Sequence, residues 1–128
     1  MKTLNPDSVI KPASSYVQAV VHSAAAERMV ISGQLGLRVD GVLEQGLEAQ
    51  MERAWSNLFA VMAAGGFEPH HLIRATIYVT EAGQVALYRK VRDRMLQGHL
   101  CANTYLEISA LAAPEFLVEI EGEAVKEA

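Results

Sequence analysis

The sequence predicts an α+β fold of order β-β-α-β-α-β-β, with two helices on one face of a mixed sheet. A long helix is predicted because apolar residues recur at steps of three and four between residues 47 and 62. A strand is predicted at 72–80, where β-branched and aromatic residues dominate. A shorter apolar stripe at 85–95 predicts the second helix. Both stripes would be buried if the helices covered one face of the sheet.

The first two strands are predicted from short apolar patterns near the start of the chain. Alternation at 16–22 and the apolar run at 29–31 each indicate a strand, and the small residues at 23–26 indicate a turn that joins them. The pattern therefore predicts a hairpin. A glycine-rich stretch at 33–41 then indicates a loop before the first helix.

The first helix has the clearest pattern in the chain. Its stripe consists of Leu47, Met51, Ala54, Trp55, Leu58, Val61 and Met62. Gly65 and Gly66 offer the left-handed position that commonly ends a helix, because glycine has no Cβ to clash at positive φ. Pro69 then prevents the helix from resuming. We therefore expect the helix to end just before these glycines.

The second helix has a narrower stripe and many charges. The stripe is Val85, Tyr88, Val91 and Met95, and we place the charged residues on the other faces of the helix: Arg89, Lys90, Arg92, Asp93 and Arg94. Gly98 is expected to end it. Two further strands, at 104–110 and 116–125, close the chain around a turn at Pro114. Apolar residues on both faces of the strand at 72–80 predict that a second subunit covers the open face of the sheet.

Length and composition limit the possible functions. The 128 residues fit one domain, with its core at about 16–125, and 51% apolar and 20% charged residues are typical of a globular protein. The net charge of −4 disfavours nucleic acid, whose binding requires Lys and Arg. No apolar run approaches a membrane span, and no signal peptide is evident. One cysteine, Cys101, allows no internal disulfide, so we expect a cytoplasmic protein.

Few residues suggest chemistry by themselves. On a strand, the adjacent His70 and His71 would point to opposite faces, so no metal site is predicted. Cys101 is most simply a small buried residue, with a thiolate nucleophile as the alternative. Alternating residues place three glutamates of the last strand on one face: Glu119, Glu121 and Glu123. They form either a solvated surface or, if one is partly buried, a proton carrier.

Four strings of residues occur in an order that resembles the RidA/YjgF family. They are Val30–Gly36, Gln50 with Ala54 and Asn57–Leu58, Ala63–Gly66, and Leu117–Glu121. The similarity runs from about residue 16 to residue 125. It implies a chorismate-mutase-like fold and a homotrimer whose sheets form a central barrel, with small-molecule clefts between subunits. It also implies hydrolysis of imines or enamines to keto acids and ammonia, with neither metal nor cofactor.

The resemblance assigns three residues to the catalytic cleft. The pocket tyrosine falls on Tyr16, the pocket serine on Ser32 and the pocket glutamate on Glu119. Gly33 and Thr104, which follow Ser32 and Asn103 in the matched strings, are implied as substrate-binding residues. Glu119 would position or deprotonate the attacking water.

One departure from the family concerns the substrate. The arginine that grips the substrate carboxylate in deaminating members is replaced here by Asn103, and a neutral amide attracts a carboxylate far less than a guanidinium does. In a gapless alignment the family's pocket asparagine falls on Arg89, so arginine and asparagine have exchanged places. We hypothesise that Arg89 reaches the cleft lined by Asn103; the alternative is a solvated Arg89.

The leading functional hypothesis is therefore hydrolytic deamination of a small imine or enamine that differs from the usual 2-aminoacrylate type. The alternative is a non-catalytic module that binds a small metabolite, such as a carboxylate, in the same clefts and regulates a pathway or partner protein. Ribonuclease activity, a name attached to some relatives, is the weakest of the three because the chain is acidic.

Overall fold

A computed structural model describes residues 1–127 and confirms the α+β architecture. The strands are β1 (Lys2–Leu4), β2 (Ala19–Val21), β3 (Glu27–Leu35), β4 (Leu72–Val79), β5 (Ala102–Glu107) and β6 (Val118–Lys126). The helices are α1 (Leu47–Ala64) and α2 (Val85–Leu96), with a short 3₁₀ turn at Pro69–His71. Neither α1 nor α2 has the length and apolar character needed to span a membrane.

The main sheet has the order β3-β6-β4-β5. β4 and β5 run parallel, because α2 connects them as a crossover, while β6 pairs antiparallel with both β3 and β4. Both helices pack on the same face of this sheet, where α1 contacts β3 and β6 and the ring of Tyr88 in α2 stacks on that of Tyr105 in β5. The mixed sheet and its helical layer are as the sequence predicts.

The predicted hairpin between the first two strands is wrong. β2 pairs with the N-terminal strand β1, in a separate two-stranded sheet, and β3 pairs with β6. The turn at residues 23–26 contains only serine and alanine, whereas tight hairpin turns need residues that accept positive φ. The chain therefore turns without pairing these two strands.

Helix α1 follows its predicted stripe closely. Its largest buried side chain is Trp55, and the helix ends at Gly65, after which Gly66 takes the expected left-handed conformation with φ of 80°. Val61 is an exception, because 39% of it is exposed. It lies on the outer side of the last turn, where the helix leaves the sheet.

Helix α2 buries Tyr88 and Val91 of its predicted stripe, but its buried face is shifted so that it also includes Arg92. Val85 is 39% exposed, whereas Arg92 is 1% exposed and lies beside Tyr88 and Val91 in the core. Tyr88 and Arg92 are four residues apart, so they share a face that turns towards β5. The helix ends at Gln97, which adopts the left-handed conformation one residue before Gly98 does.

The two faces of the sheet differ in polarity. The helical face is apolar and includes Ala75, Ile77 and Ile120. The open face of β4 is polar, in contrast to the predicted apolar strand, because Arg74, Thr76 and Tyr78 occupy alternate positions and so share that side. The glutamates of β6 lie on the same face, where Tyr78 Oη donates a hydrogen bond of 2.8 Å to Glu121 Oε1 and Arg28 Nη2 forms a 3.0 Å ion pair with Glu123.

Candidate functional site

The predicted site residues form two groups in one subunit, on different parts of the sheet. The first group is built by a bulge in β3. The register between β3 and β6 shifts between Ile31 and Gln34, which leaves Ser32 and Gly33 at the irregularity. A Cβ added at Gly33 would lie 2.6 Å from Cδ and 2.7 Å from Oε2 of Glu119. The Glu119 side chain therefore lies against the Gly33 backbone, and a Cβ at position 33 would displace its carboxylate.

Ser32 and Glu119 are both available to a ligand. The Ser32 side chain is exposed, and its backbone carbonyl accepts a 3.0 Å hydrogen bond from Gln34 Nε2. Glu119 is half-buried, and no hydrogen bond ties its carboxylate to another described residue. Its neighbour on the same face, Glu121, is instead bonded to Tyr78. Glu119 is therefore the carboxylate of β6 that can accept a proton from a bound water.

The second group surrounds a cavity of about 180 Å³ between α2, β5 and the segment before β2. Its lining residues are Ser14, Tyr16, Val85, Tyr88, Arg89, Arg92, Asn103 and Tyr105. Three of the predicted residues, Tyr16, Arg89 and Asn103, are thus brought together. Arg89 is half-buried and lines this cavity together with Asn103.

Asn103 has both ends of its amide engaged. Its Oδ1 accepts a short hydrogen bond from Tyr88 Oη and a long one, 3.4 Å, from Arg92 Nη1, while its Nδ2 donates to the carbonyl of Cys101 at 3.3 Å. Burial raises the pKa of Tyr88 above its usual range, so the phenol remains a donor. Asn103 therefore holds Tyr88 and Arg92 in place, and it has little capacity left for a ligand.

Arg92 is the residue that the sequence reasoning placed wrongly. Its Nε donates to Asp93 Oδ1 at 2.9 Å, and its guanidinium carbon lies 5.1 Å from the centre of the Tyr88 ring. Its Nη2 is buried and has no acceptor among the described residues. An unsatisfied buried donor costs about 1–3 kcal/mol, more when charged. The four-residue spacing from Tyr88 was the signal that could have shown that Arg92 faces β5.

Thr104 does not join Asn103 at the cavity. Successive residues of a strand point to opposite faces, so the exposed Thr104 lies on the open face of the sheet while Asn103 faces α2. The two residues therefore face different surroundings within one subunit.

The two groups are too far apart to hold one small ligand within a subunit. In register, Asn103 pairs with Ala75 of β4, whereas Glu119 of β6 pairs with Tyr78. Two strand spacings and three residues along the strand separate their Cα atoms by roughly 14 Å, on opposite faces of the sheet. A site that contains both groups needs a second copy of the chain.

The remaining candidates support no chemistry at these groups. Cys101 is fully buried, and burial raises the pKa of its thiol to about 12, which disfavours the thiolate alternative. His70 and His71 lie in a 3₁₀ turn with ring centres 4.1 Å apart, so the expectation of opposite directions is wrong. With Glu68 they place three ligand atoms within 4.8 Å of one another. However, His71 Nδ1 accepts a 2.8 Å hydrogen bond from Glu68 N, which orients its lone pair away from a metal.

Comparison with known proteins identifies the family. Residues 7–126 match the family model described as endoribonuclease L-PSP. The chain belongs to the endoribonuclease L-PSP family. It is 33% identical to protein DfrA of Myxococcus xanthus over 112 residues, which cover 86% of this chain and 85% of DfrA.

Solved structures agree with this assignment. The Rid-family protein YyfB from Yersinia pestis has a TM-score of 0.85 at 28% identity, with 96% of each chain covered. Escherichia coli TdcF, solved with bound serine, has a TM-score of 0.74 and covers 99% of this chain and 100% of its own, but at 20% identity it shows the fold alone. The resemblance to the RidA/YjgF family is thereby confirmed, and imine deamination or small-molecule binding is consistent with it.

Proposed function

We propose that the protein is a cytoplasmic homotrimer that hydrolyses a small imine or enamine in clefts between its subunits. The observation that carries this proposal is the division of the site. Glu119 and Ser32 lie on the open face of the sheet, while Tyr16, Arg89 and Asn103 surround a cavity on the helical side. Adjacent copies of the chain can bring the first group of one subunit to the second group of the next.

The reaction needs one base and an oriented substrate. The Glu119 carboxylate removes a proton from water while the water oxygen bonds to the imine carbon and the C=N electron pair moves to nitrogen. The proton then passes to nitrogen and gives a neutral carbinolamine. Transfer of its hydroxyl proton to the amino group, again through the carboxylate, breaks the C–N bond, releases ammonia and leaves a carbonyl product. The absence of a side chain at Gly33 leaves the space that the carboxylate occupies. Imines already hydrolyse in water, so this positioning supplies most of the acceleration.

The other predicted residues orient the substrate. Tyr16 and Ser32 present hydroxyl groups to its polar atoms, and Arg89 supplies positive charge. Asn103 acts indirectly, because its amide is engaged by Tyr88 and Arg92. Thr104 lies on the open face, so it would contact a ligand only where that face meets a neighbouring subunit.

The proposal is tested by assaying freshly generated imines with the wild-type protein and with Glu119→Gln. The variant should lose at least about 100-fold in rate, which is typical for removal of a positioned base. Glu123→Gln is the matched control, because it removes a carboxylate from the same face of β6 that is already paired with Arg28. Equal losses in both variants would contradict the role of Glu119.

Loss of the usual arginine at position 103 favours a second candidate, a module that binds a metabolite without turnover. Saturable binding of small acids by a protein that accelerates no imine hydrolysis would establish that reading. Light scattering that gives a monomer mass at micromolar concentration would contradict both, because each requires clefts between subunits.

A further inference from the structure

We infer that the cavity lined by Arg89 and Arg92 is a receptor for small dicarboxylates, in which each arginine binds one carboxylate. The inference rests on the proposed function in one respect, since the dicarboxylate would be the acidic part of the substrate. It assigns a ligand class to the cavity and a binding role to Arg92.

Arg92 carries the first part of the argument. The side chain is 1% exposed and lines the cavity, yet its Nη2 has no acceptor among residues 1–127. Asp93 engages the Nε edge only, and this aspartate side chain is itself 48% exposed. Asn103 and Tyr88 hold the guanidinium from the other side. A carboxylate at Nη2 would complete the hydrogen bonds of a buried cation that the protein leaves incomplete.

Arg89 supplies the second positive charge. It lies three residues before Arg92, on the same side of α2, and lines the same cavity. The outward cations of the helix are paired with α1, because Lys90 forms a 3.6 Å ion pair with Glu48 and Arg94 pairs with Glu52. No ion pair joins Arg89 to another described residue. The cations of α2 are thus divided between a paired outer face and a cavity face.

The cavity lining contains no carboxylate to balance these charges. Besides the two arginines it comprises hydroxyl, amide and apolar side chains. Asp93 is not part of this lining and engages only the Nε edge of Arg92. Nη2 of Arg92 and the guanidinium of Arg89 are therefore two separate positions, each open to one carboxylate of a dicarboxylate. The volume of about 180 Å³ lies below the roughly 300–1,000 Å³ of sites for drug-sized ligands, so the acid must be short.

Access to Arg92 requires a small movement. Its Nη2 is covered in this structure, and Ser14 and Tyr16 of the segment before β2 line the cavity. A long hydrogen bond of 3.4 Å, from Ser15 Oγ to Asp93 Oδ2, joins this segment to α2. Movement of this segment would break only that weak contact, so the wall of the cavity beside α2 can open at little cost.

The test is calorimetric titration of the full chain at constant ionic strength, with succinate and glutarate as probes and butyrate as the monocarboxylate of matched length. We expect a dicarboxylate to bind at least about 10-fold more tightly than butyrate. Arg92→Met and Arg89→Gln should each reduce the affinity for the dicarboxylate to the affinity for butyrate. Lys90→Gln is the control, because it removes one charge from the same helix outside the cavity, and it should leave the ratio unchanged.

Two results would overturn the inference: equal affinities for dicarboxylate and butyrate, or an equal loss in Lys90→Gln and Arg92→Met. If Arg92→Met does not fold, Arg92→Lys retains the charge without the planar fork and should still lose most of the discrimination. The proposed function fails separately. Dicarboxylate binding without imine hydrolysis contradicts deamination and leaves the receptor intact, whereas hydrolysis without a preference for dicarboxylates contradicts only the receptor.

Discussion

Replacing Arg92 with methionine should leave the free energy of unfolding nearly unchanged, although Arg92 is one of the largest fully buried side chains. Methionine retains an unbranched apolar stem of similar length, so the packing against Tyr88 persists. Buried ion pairs replaced by apolar residues of similar volume are often neutral or stabilising. The partner that remains, Asp93, is 48% exposed and is therefore solvated after the change.

The expected magnitude follows from the contacts of Arg92. The ion pair with the partly exposed Asp93 contributes at most about 1 kcal/mol. The contact of the guanidinium with the Tyr88 ring, 5.1 Å to its centre, contributes about 0.5–2 kcal/mol. Removing the unsatisfied Nη2 increases the free energy of unfolding by about 1–3 kcal/mol, because a buried donor without an acceptor is destabilising. These contributions oppose each other, so we expect a change of about 1 kcal/mol or less and a melting shift of at most about 4 °C.

The assay is urea unfolding followed by the fluorescence of Trp55, which is fully buried in α1. Arg92→Ala is the comparison, because it leaves a void and should cost about 2–5 kcal/mol. Lys90→Met controls for removal of a charge at an exposed position of the same helix. A loss above about 3 kcal/mol in Arg92→Met would refute the reasoning, since it would make Arg92 a structural residue whose partners satisfy it.

Two further predictions concern the two groups of site residues, and a third concerns Cys101. Gly33→Ala should slow imine hydrolysis at least about 10-fold, because the added Cβ displaces the Glu119 carboxylate. Its free energy of unfolding should stay within about 1 kcal/mol of the wild-type value. Unchanged kinetics would contradict the contact between Gly33 and Glu119. Asn103→Arg should lower the free energy of unfolding in urea by about 3–5 kcal/mol, because it adds a cation beside Arg92. Adding Arg92→Met to the same chain should restore most of that loss. Because the Cys101 pKa is raised to about 12, the thiolate fraction at pH 8 is roughly one in 10⁴. Iodoacetamide should therefore label Cys101 only in the unfolded protein. Rapid labelling of the native protein would refute the burial of this thiol.

Local patterns were sufficient where one element determines its own structure. The stripe around Trp55 and Leu58 has the helical period, so it predicts both α1 and the face that α1 buries. The β-branched run at β4 and the alternation along β6 likewise predict strands. Glu119 could be placed on one face of β6 with the other glutamates, because side chains of a strand alternate strictly.

Features that depend on distant residues could not be read from the chain in this way. Pairing of β2 with β1 depends on backbone partners at the N-terminus, which the weak pattern of residues 2–4 does not indicate. The bulge of β3 between Ile31 and Gln34, which contains Ser32 and Gly33, likewise depends on the pairing of β3 with the distant strand β6.

The sequence by itself determined the fold class and the family, because these follow from periodicity and from short strings. It assigned the candidate site residues to one cleft, and their division into two groups within a subunit came from the tertiary structure. The tertiary structure alone decided which arginine meets Asn103. The charge of Arg92 suggested an exposed position, but the orientation of α2 on β5 is set by burial of Tyr88 and Val91, and Arg92 is carried into the core with them. Helical spacing allows several faces to be buried, and packing against the sheet selects one.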